Sequence, residues 1–152
     1  MGFSWGGVVT MLAANESYAT LYGNGLTFAA HVAHYPVCWG YNIGIPGMEF
    51  HNLTGNPLLI QIGNLDDYDE GSAPCENLIA SLSESEQLTT SLNVYPNAYH
   101  AWDRLQPSVT VFDPFSHLGM GGDVEIVPNP GKAFQSRTKA VHFLQESFGL
   151  EY

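Results

Sequence analysis

Apolar residues along the chain fall into patterns that specify elements. Over residues 5–15, Val8, Met11 and Leu12, with Val9 beside them, recur at helical spacing and predict a helix with one buried face. Residues 27–37, TFAAHVAHYPV, are rich in β-branched and aromatic side chains and predict a strand. Pro57–Ile62, PLLIQI, is a short apolar run stopped by Gly63, as in a strand buried on both faces. The polar turn LDDYDEGSAP follows, then a helix over 73–82 with Ser72 placed to cap it. Thr90–Tyr95 predicts another strand, stopped by Pro96. Over 131–148, Phe134, Val141, Leu144 and Phe148 recur at about 3.6 residues and predict a last helix with those side chains toward the sheet. Residues 39–56 and 103–129, the latter containing PFSHLGMGG, read as loops. The glycines of that second loop do not fit a dinucleotide fingerprint, because no strand leads into them. Helices alternating with strands imply an α/β fold, a parallel sheet flanked by helices. A length of 152 residues suits one domain, and no repeat or low-complexity tract divides it.

Composition supports a packed core, with 45% hydrophobic and only 12% charged residues. The formal charge is −11, and the only Lys and Arg side chains are Arg104, Lys132, Arg137 and Lys139. Binding to nucleic acid needs clustered cations on the phosphates, so it is not expected. Docking on anionic membranes is disfavoured for the same reason, and no run of about 18 apolar residues suggests a membrane span. No leader peptide is visible, and the compartment stays open. Asn15-Glu16-Ser17 and Asn52-Leu53-Thr54 fit the glycosylation sequon, a pattern too short to carry weight.

Residues 2–6, GFSWG, fit G-x-S-x-G, the nucleophile elbow. In that motif a serine sits on a sharp strand-to-helix turn, and glycines two positions away on either side avoid collisions. The following helix aims free N–H groups at the site, so the Trp5 N–H is a candidate oxyanion donor. A serine hydroxyl needs a base, and the base needs an orienting carboxylate. Asp66 follows the strand PLLIQIG by a short turn, and His100 follows the strand ending in VYP. The order Ser4, Asp66, His100, each beyond a strand's C-terminal end, matches the elbow's template. Asp67 is a rival for the acid, and either aspartate could instead cap the next helix. His31, His34, His51, His117 and His142 read as structural or exposed. His31 and His34 face opposite sides of one strand. No His/Cys/Asp group has convincing metal-ligand spacing, so neither a metal nor a cofactor is expected.

With these residues quoted, the chain resembles the C-terminal part of the dienelactone hydrolase family, within the α/β-hydrolase fold. The matching stretches are GFSWGG (2–7), FAAHVAHYPVC (28–38), PLLIQIGNLDDYDEGSAPCENL (57–78), VYPNAYHAWD (94–103) and HFLQESF (142–148). The resemblance implies a hydrolase of carboxylic esters or lactones acting on a small molecule, with Ser4 as nucleophile, His100 as base and Asp66, the first aspartate of the pair, as acid. The family's namesake has cysteine where this chain has Ser4, which points to serine-type relatives resembling general carboxylesterases. It also has an arginine four residues after its histidine that holds a substrate carboxylate. Arg104 occupies that spacing and is a candidate anion anchor, or a surface ion-pair partner of Asp103.

Members of the family carry roughly 100 residues ahead of the elbow, with the first strands and the second oxyanion donor. The expectation is therefore a truncated α/β-hydrolase domain over 1–152, its N-terminal strands missing. The strand at 27–37 would then expose an apolar edge and favour self-association. A non-catalytic remnant of such a hydrolase, or a peptidase of the same fold, are the alternative readings. Cys38 and Cys75 should lie on the same rim of neighbouring strands, as buried thiols or as a disulfide if the Cα atoms come within about 7 Å.

Overall fold

A computed structural model describes residues 1–150. The chain is mixed α/β, with a four-stranded parallel sheet flanked by helices. Strand β1 is Gly2–Phe3, followed by helices α1 (Trp5–Leu12) and α2 (Glu16–Tyr22). Strand β2 (His31–His34) leads to the short helix α3 (Trp39–Asn42), and β3 (Leu58–Gly63) leads to α4 (Ala73–Ala80) and α5 (Glu84–Gln87). Strand β4 (Thr90–Tyr95) completes the sheet in the order β1-β2-β3-β4. An antiparallel hairpin follows, β5 (Val109–Asp113) and β6 (Gly122–Ile126), whose connection holds the single turn α6 (Ser116–Gly119). Helix α7 (Pro130–Ser147) closes the chain. Among the described residues, no helix is long and apolar enough to cross a membrane.

Alternation along the strands divides the core. Ala33, Leu58, Ile60 and Ile62 pack with Val8 and Met11 of α1 and with Leu78 of α4. Val32 and Leu59 point the other way, against Ala140, Phe143 and Leu144 of α7. Local sequence sets the helix starts. The Asn15 side chain accepts from Ser17 N–H and also donates to the carbonyls of Glu49 and His51, so this first sequon asparagine is buried structure. Ser83 and Glu86 form a capping box, and Asn129 accepts from Lys132 N–H ahead of Pro130.

Several expectations are corrected. The second strand spans His31–His34 rather than 27–37, and β1 covers part of its flank through Gly2↔Ala33 and Phe3↔His34. Among the described residues both outer edges of this sheet, that of β1 and that of β4, lack a strand partner, and β1 leaves His31 and Val32 of β2 uncovered on its side. Residues 103–129 contain a hairpin, not only loop. Ser72 stands at the N-cap position of α4 as expected, but its hydroxyl bonds the Glu76 carboxylate rather than a backbone N–H. In α7 the side chains against the fold are Ala133, Ser136, Ala140, Phe143 and Leu144, while Phe134, Val141 and Phe148 face outward. Small residues carry the contact because the helix lies close to the sheet. The Gln61 side-chain amide donates to the Ser136 carbonyl, and Trp102 Nε1 donates to Ser136 Oγ.

Candidate functional site

The turn between β1 and α1 places Ser4 in a left-handed backbone conformation, φ 53 and ψ −123. Such geometry in a non-glycine residue costs on the order of 1–3 kcal/mol and persists only where neighbours hold it. Here Ser4 N–H donates to the His34 carbonyl at 3.0 Å, and the Ser4 carbonyl accepts from Val8 N–H. A Cβ on Gly2 would lie 2.0 Å from the Gly6 carbonyl oxygen, so the first glycine is a steric requirement. A Cβ on Gly6 would meet nothing within 4 Å, so the second is not, and the expected collision on that side does not occur. Gly2→Ala should thus destabilise the fold by roughly 1–3 kcal/mol through overpacking. Gly6→Ala should be neutral, or stabilising by up to about 1 kcal/mol as a helix substitution. Urea midpoints of the two variants check this.

The two remaining residues of the row come from the ends of adjacent strands. Gly63 lets their loops approach, since a Cβ there would sit 2.1 Å from the Ala98 carbonyl oxygen. Leu65 N–H donates to that same carbonyl, and Asn97 N–H donates to Asn64 Oδ1. Asp66 and His100 are both buried. His100 Nδ1 lies 2.8 Å from Asp66 Oδ2, and His100 Nε2 lies 2.9 Å from Ser4 Oγ. A carboxylate only accepts, so Nδ1 carries the proton it donates to Asp66, and Nε2 is free to accept from the serine hydroxyl. Tyr68 N–H donates to the other Asp66 oxygen, at 3.0 Å. Ser4, Asp66 and His100, 96 positions apart at the extremes, thus form one hydrogen-bonded row.

Asp67 stands outside the row, its carboxylate accepting from Glu125 N–H. Trp5 is the first residue of α1, so its N–H has no carbonyl one turn back to bond. Arg104 is half-buried, its Nε donating to Gln106 Oε1 at 3.3 Å. Among the described residues it makes no ion pair, and Asp103 instead accepts from the Tyr35 hydroxyl at 2.6 Å.

Two tyrosines that sequence reasoning missed flank the imidazole. The ring of Tyr68 is 4.4 Å from that of His100, and the ring of Tyr35 is 4.8 Å away. The Tyr68 hydroxyl donates to Asp113 and the Tyr35 hydroxyl to Asp103, so both rings are held at each end. Burial, reinforced by these carboxylates, pushes both phenols above their ordinary range. The only signal in the sequence is that Tyr68 follows a predicted strand closely and Tyr35 lies near the end of another.

Cys38 and Cys75 form a disulfide, with Cα atoms 5.1 Å apart. The buried Asp69 carboxylate lies beside it, accepting from Cys38 N–H and Trp39 N–H, each at 2.7 Å. Cys38, Asp69 and Cys75 cluster closely enough to suggest a metal site, but sulfurs bonded to each other offer no thiolate. Burial raises the Asp69 carboxyl to about 7, against the partial compensation of the two N–H donors. Its folded pKa thus exceeds the unfolded value of about 3.9. As pH rises between those values the unfolded chain loses its proton first, so stability falls. Asp69→Asn removes that loss. Relative to the wild type, the variant should gain roughly 3 kcal/mol between about pH 4.5 and 7.5. Urea midpoints at the two pH values check it, and an unchanged difference would contradict it.

The remaining histidines divide as expected. His31 and His34 are buried, and desolvation lowers both, His34 to about 4. His117 lies on the α6 turn with Nδ1 3.1 Å from Glu70 Oε1 and Nε2 2.9 Å from the Asp123 carbonyl. Both partners only accept, so the imidazolium fits best, and these bonds, the Asp123 carbonyl first, raise its pKa. Comparison of the chain with family models, with curated proteins and with solved structures returns no match.

Proposed function

We propose that this chain is a serine hydrolase of carboxylic esters or lactones, of the α/β-hydrolase type its sequence resembles. The observation that carries the reading is the row from Ser4 Oγ through His100 to Asp66, with links of 2.9 and 2.8 Å. His100 takes the hydroxyl proton on Nε2 while Ser4 Oγ attacks the ester carbonyl carbon. Asp66 holds the ring orientation and stabilises the imidazolium. The Trp5 N–H donates to the oxyanion. The intermediate collapses, His100 returns its proton to the departing alkoxide, and an acyl-Ser4 ester remains. Water then repeats the sequence, releasing the acid and restoring the hydroxyl. Hydrolysis of p-nitrophenyl acetate tests the reading: a rate lost in Ser4→Ala supports it, and equal rates overturn it.

A second reading has its own observation. An apolar groove of about 770 Å³ lies away from the row, lined by Val9, Leu12 and Ala13 of the first helix and by Tyr22, Leu26 and Phe28 beyond it. Val9 is 62% exposed there, although helical spacing had placed it near the buried face. The groove and the outer edge of β1 together favour self-association. Light scattering behind size exclusion should show a dimer or larger species, and a clean monomer would contradict it.

A further inference from the structure

The Asp113–Gly122 connection of the hairpin is built with more care than a passive turn requires. His117 and Leu118 both hold left-handed backbone conformations, φ 48 and 58. Strain of this kind persists only where the surroundings impose it. The surroundings here are the Asp66–Gly71 segment, which carries the acid of the row. His117 N–H donates to the Asp67 carbonyl at 2.8 Å, and Leu118 N–H donates to the Tyr68 carbonyl at 3.1 Å. The Tyr68 hydroxyl donates to Asp113, and His117 spans Glu70 and the Asp123 carbonyl. Ser116, fully buried, donates to the carbonyls of Asp113 and Gly122. Phe115 N–H donates to Asp113 Oδ1 at 2.8 Å, which fixes the backbone of that one residue.

What this scaffold presents is the Phe115 ring. Phe115 meets Trp5 edge to face, with ring centroids 5.7 Å apart. Trp5 follows the nucleophile directly in the chain. Both rings stay half in solvent, Trp5 at 46% and Phe115 at 51% exposure. Nothing in the fold's own packing requires two large aromatics to meet at the surface beside Ser4. Carboxylates of Asp67, Glu70 and Asp113 surround the base of the loop, against the single His117 imidazolium. That balance repels an anion and leaves the aromatic pair suited to an uncharged apolar group.

We propose that Trp5 and Phe115 form a wall of the substrate cleft that takes the apolar part of an uncharged ester, with Phe115 the specificity-determining residue. The inference rests on the hydrolase reading and names the substrate class for the same site. The aromatic contact is worth about tenfold in discrimination between a bulky apolar group and a methyl group.

The test compares two series in the wild type, Phe115→Ala and Phe115→Leu. One varies the acyl group of p-nitrophenyl esters through acetate, butyrate, benzoate and the anionic hemisuccinate. The other varies the alcohol of acetates from ethyl to benzyl. The wild type should favour the bulky uncharged member of at least one series and disfavour hemisuccinate. Phe115→Ala should raise KM about tenfold for that member alone, and Phe115→Leu should restore most of the loss. Equal losses on every substrate, or none on any, would overturn the proposal.

A binding arm separates this proposal from the hydrolase reading. Acetophenone, an uncharged aryl ketone that is not hydrolysed, is titrated against Ser4→Ala while the Trp5 indole N–H resonance is followed. A saturable shift that Phe115→Ala abolishes supports the wall, even if ester turnover proves independent of Ser4. No shift of that resonance would overturn the wall, whatever the turnover shows.

Discussion

Ser4→Ala is expected to lower ester hydrolysis on the order of 10⁶-fold, His100→Ala by a similar factor, and the double variant no further. The reason is that hydroxyl and imidazole act as one unit. Without Nε2 to accept its proton, the Ser4 hydroxyl is a poor nucleophile near neutral pH, and without the hydroxyl the imidazole has nothing to activate. Their 2.9 Å contact makes the two deletions redundant rather than additive. Asp66→Asn should cost somewhat less, on the order of 10² to 10⁴, because the amide can donate to Nδ1 and so favours the wrong tautomer. KM should move little in all three, since none of these groups is asked to bind substrate. Initial rates with p-nitrophenyl acetate check the pattern. Additive losses would mean that Ser4 and His100 do not work on the same proton.

The second large effect concerns the disulfide. Replacing Cys38 and Cys75 together by Ala should cost about 4 kcal/mol, from the entropy of a closed loop of that size. The two cysteines are 37 positions apart. The link joins the end of the β2 segment to the first turn of α4, and the acid-bearing Asp66–Gly71 segment lies between them. Asp69 ties that segment to the same place through the Cys38 and Trp39 amides. Loss of the bridge should therefore loosen the support of Asp66 and lower kcat as well as stability. Urea midpoints and kcat of the double variant, and of the wild type under dithiothreitol, check both parts. A midpoint shift equivalent to less than about 1 kcal/mol would contradict the stapling role, because it falls below the usual range for a bridge.

Much of the site could be read in the sequence because each of its residues follows a strong strand signal. LLIQIG is apolar but for Gln61, short and stopped by glycine, so it reads as a buried strand, with the aspartates after it at the sheet's rim. His100 follows β4 in the same way, and Ser4 is flanked by the glycines of its motif. The choice between Asp66 and Asp67 was open on spacing alone, since adjacent residues point in different directions that only the turn defines. The rest depended on tertiary packing. The hairpin strands β5 and β6 are largely exposed, so selection for burial left no clean alternation in Val109–Asp113. The left-handed turn at His117 and Leu118 uses neither glycine nor asparagine, so no residue type announces it. In α7 the bulky residues gave the helical period, but of the four expected toward the sheet only Leu144 packs there, while Phe134, Val141 and Phe148 face outward and Ala133, Ser136 and Ala140 make the close contact. Tyr35 and Tyr68 surround His100 only because segments 33 positions apart converge, which no local pattern encodes.

Among the described residues, Ser4 is the one hydroxyl bonded to an imidazole that has a carboxylate behind it, and the proposal makes that imidazole its activating base. A fluorophosphonate probe reports such activation directly, because it phosphonylates serines whose proton is taken by a neighbouring base. Incubation followed by peptide mass spectrometry should find the adduct on Ser4, at a rate that falls steeply in His100→Ala while Ser4→Ala takes no label. An unlabelled Ser4, or labelling that proceeds equally without the His100 imidazole, would contradict the assignment.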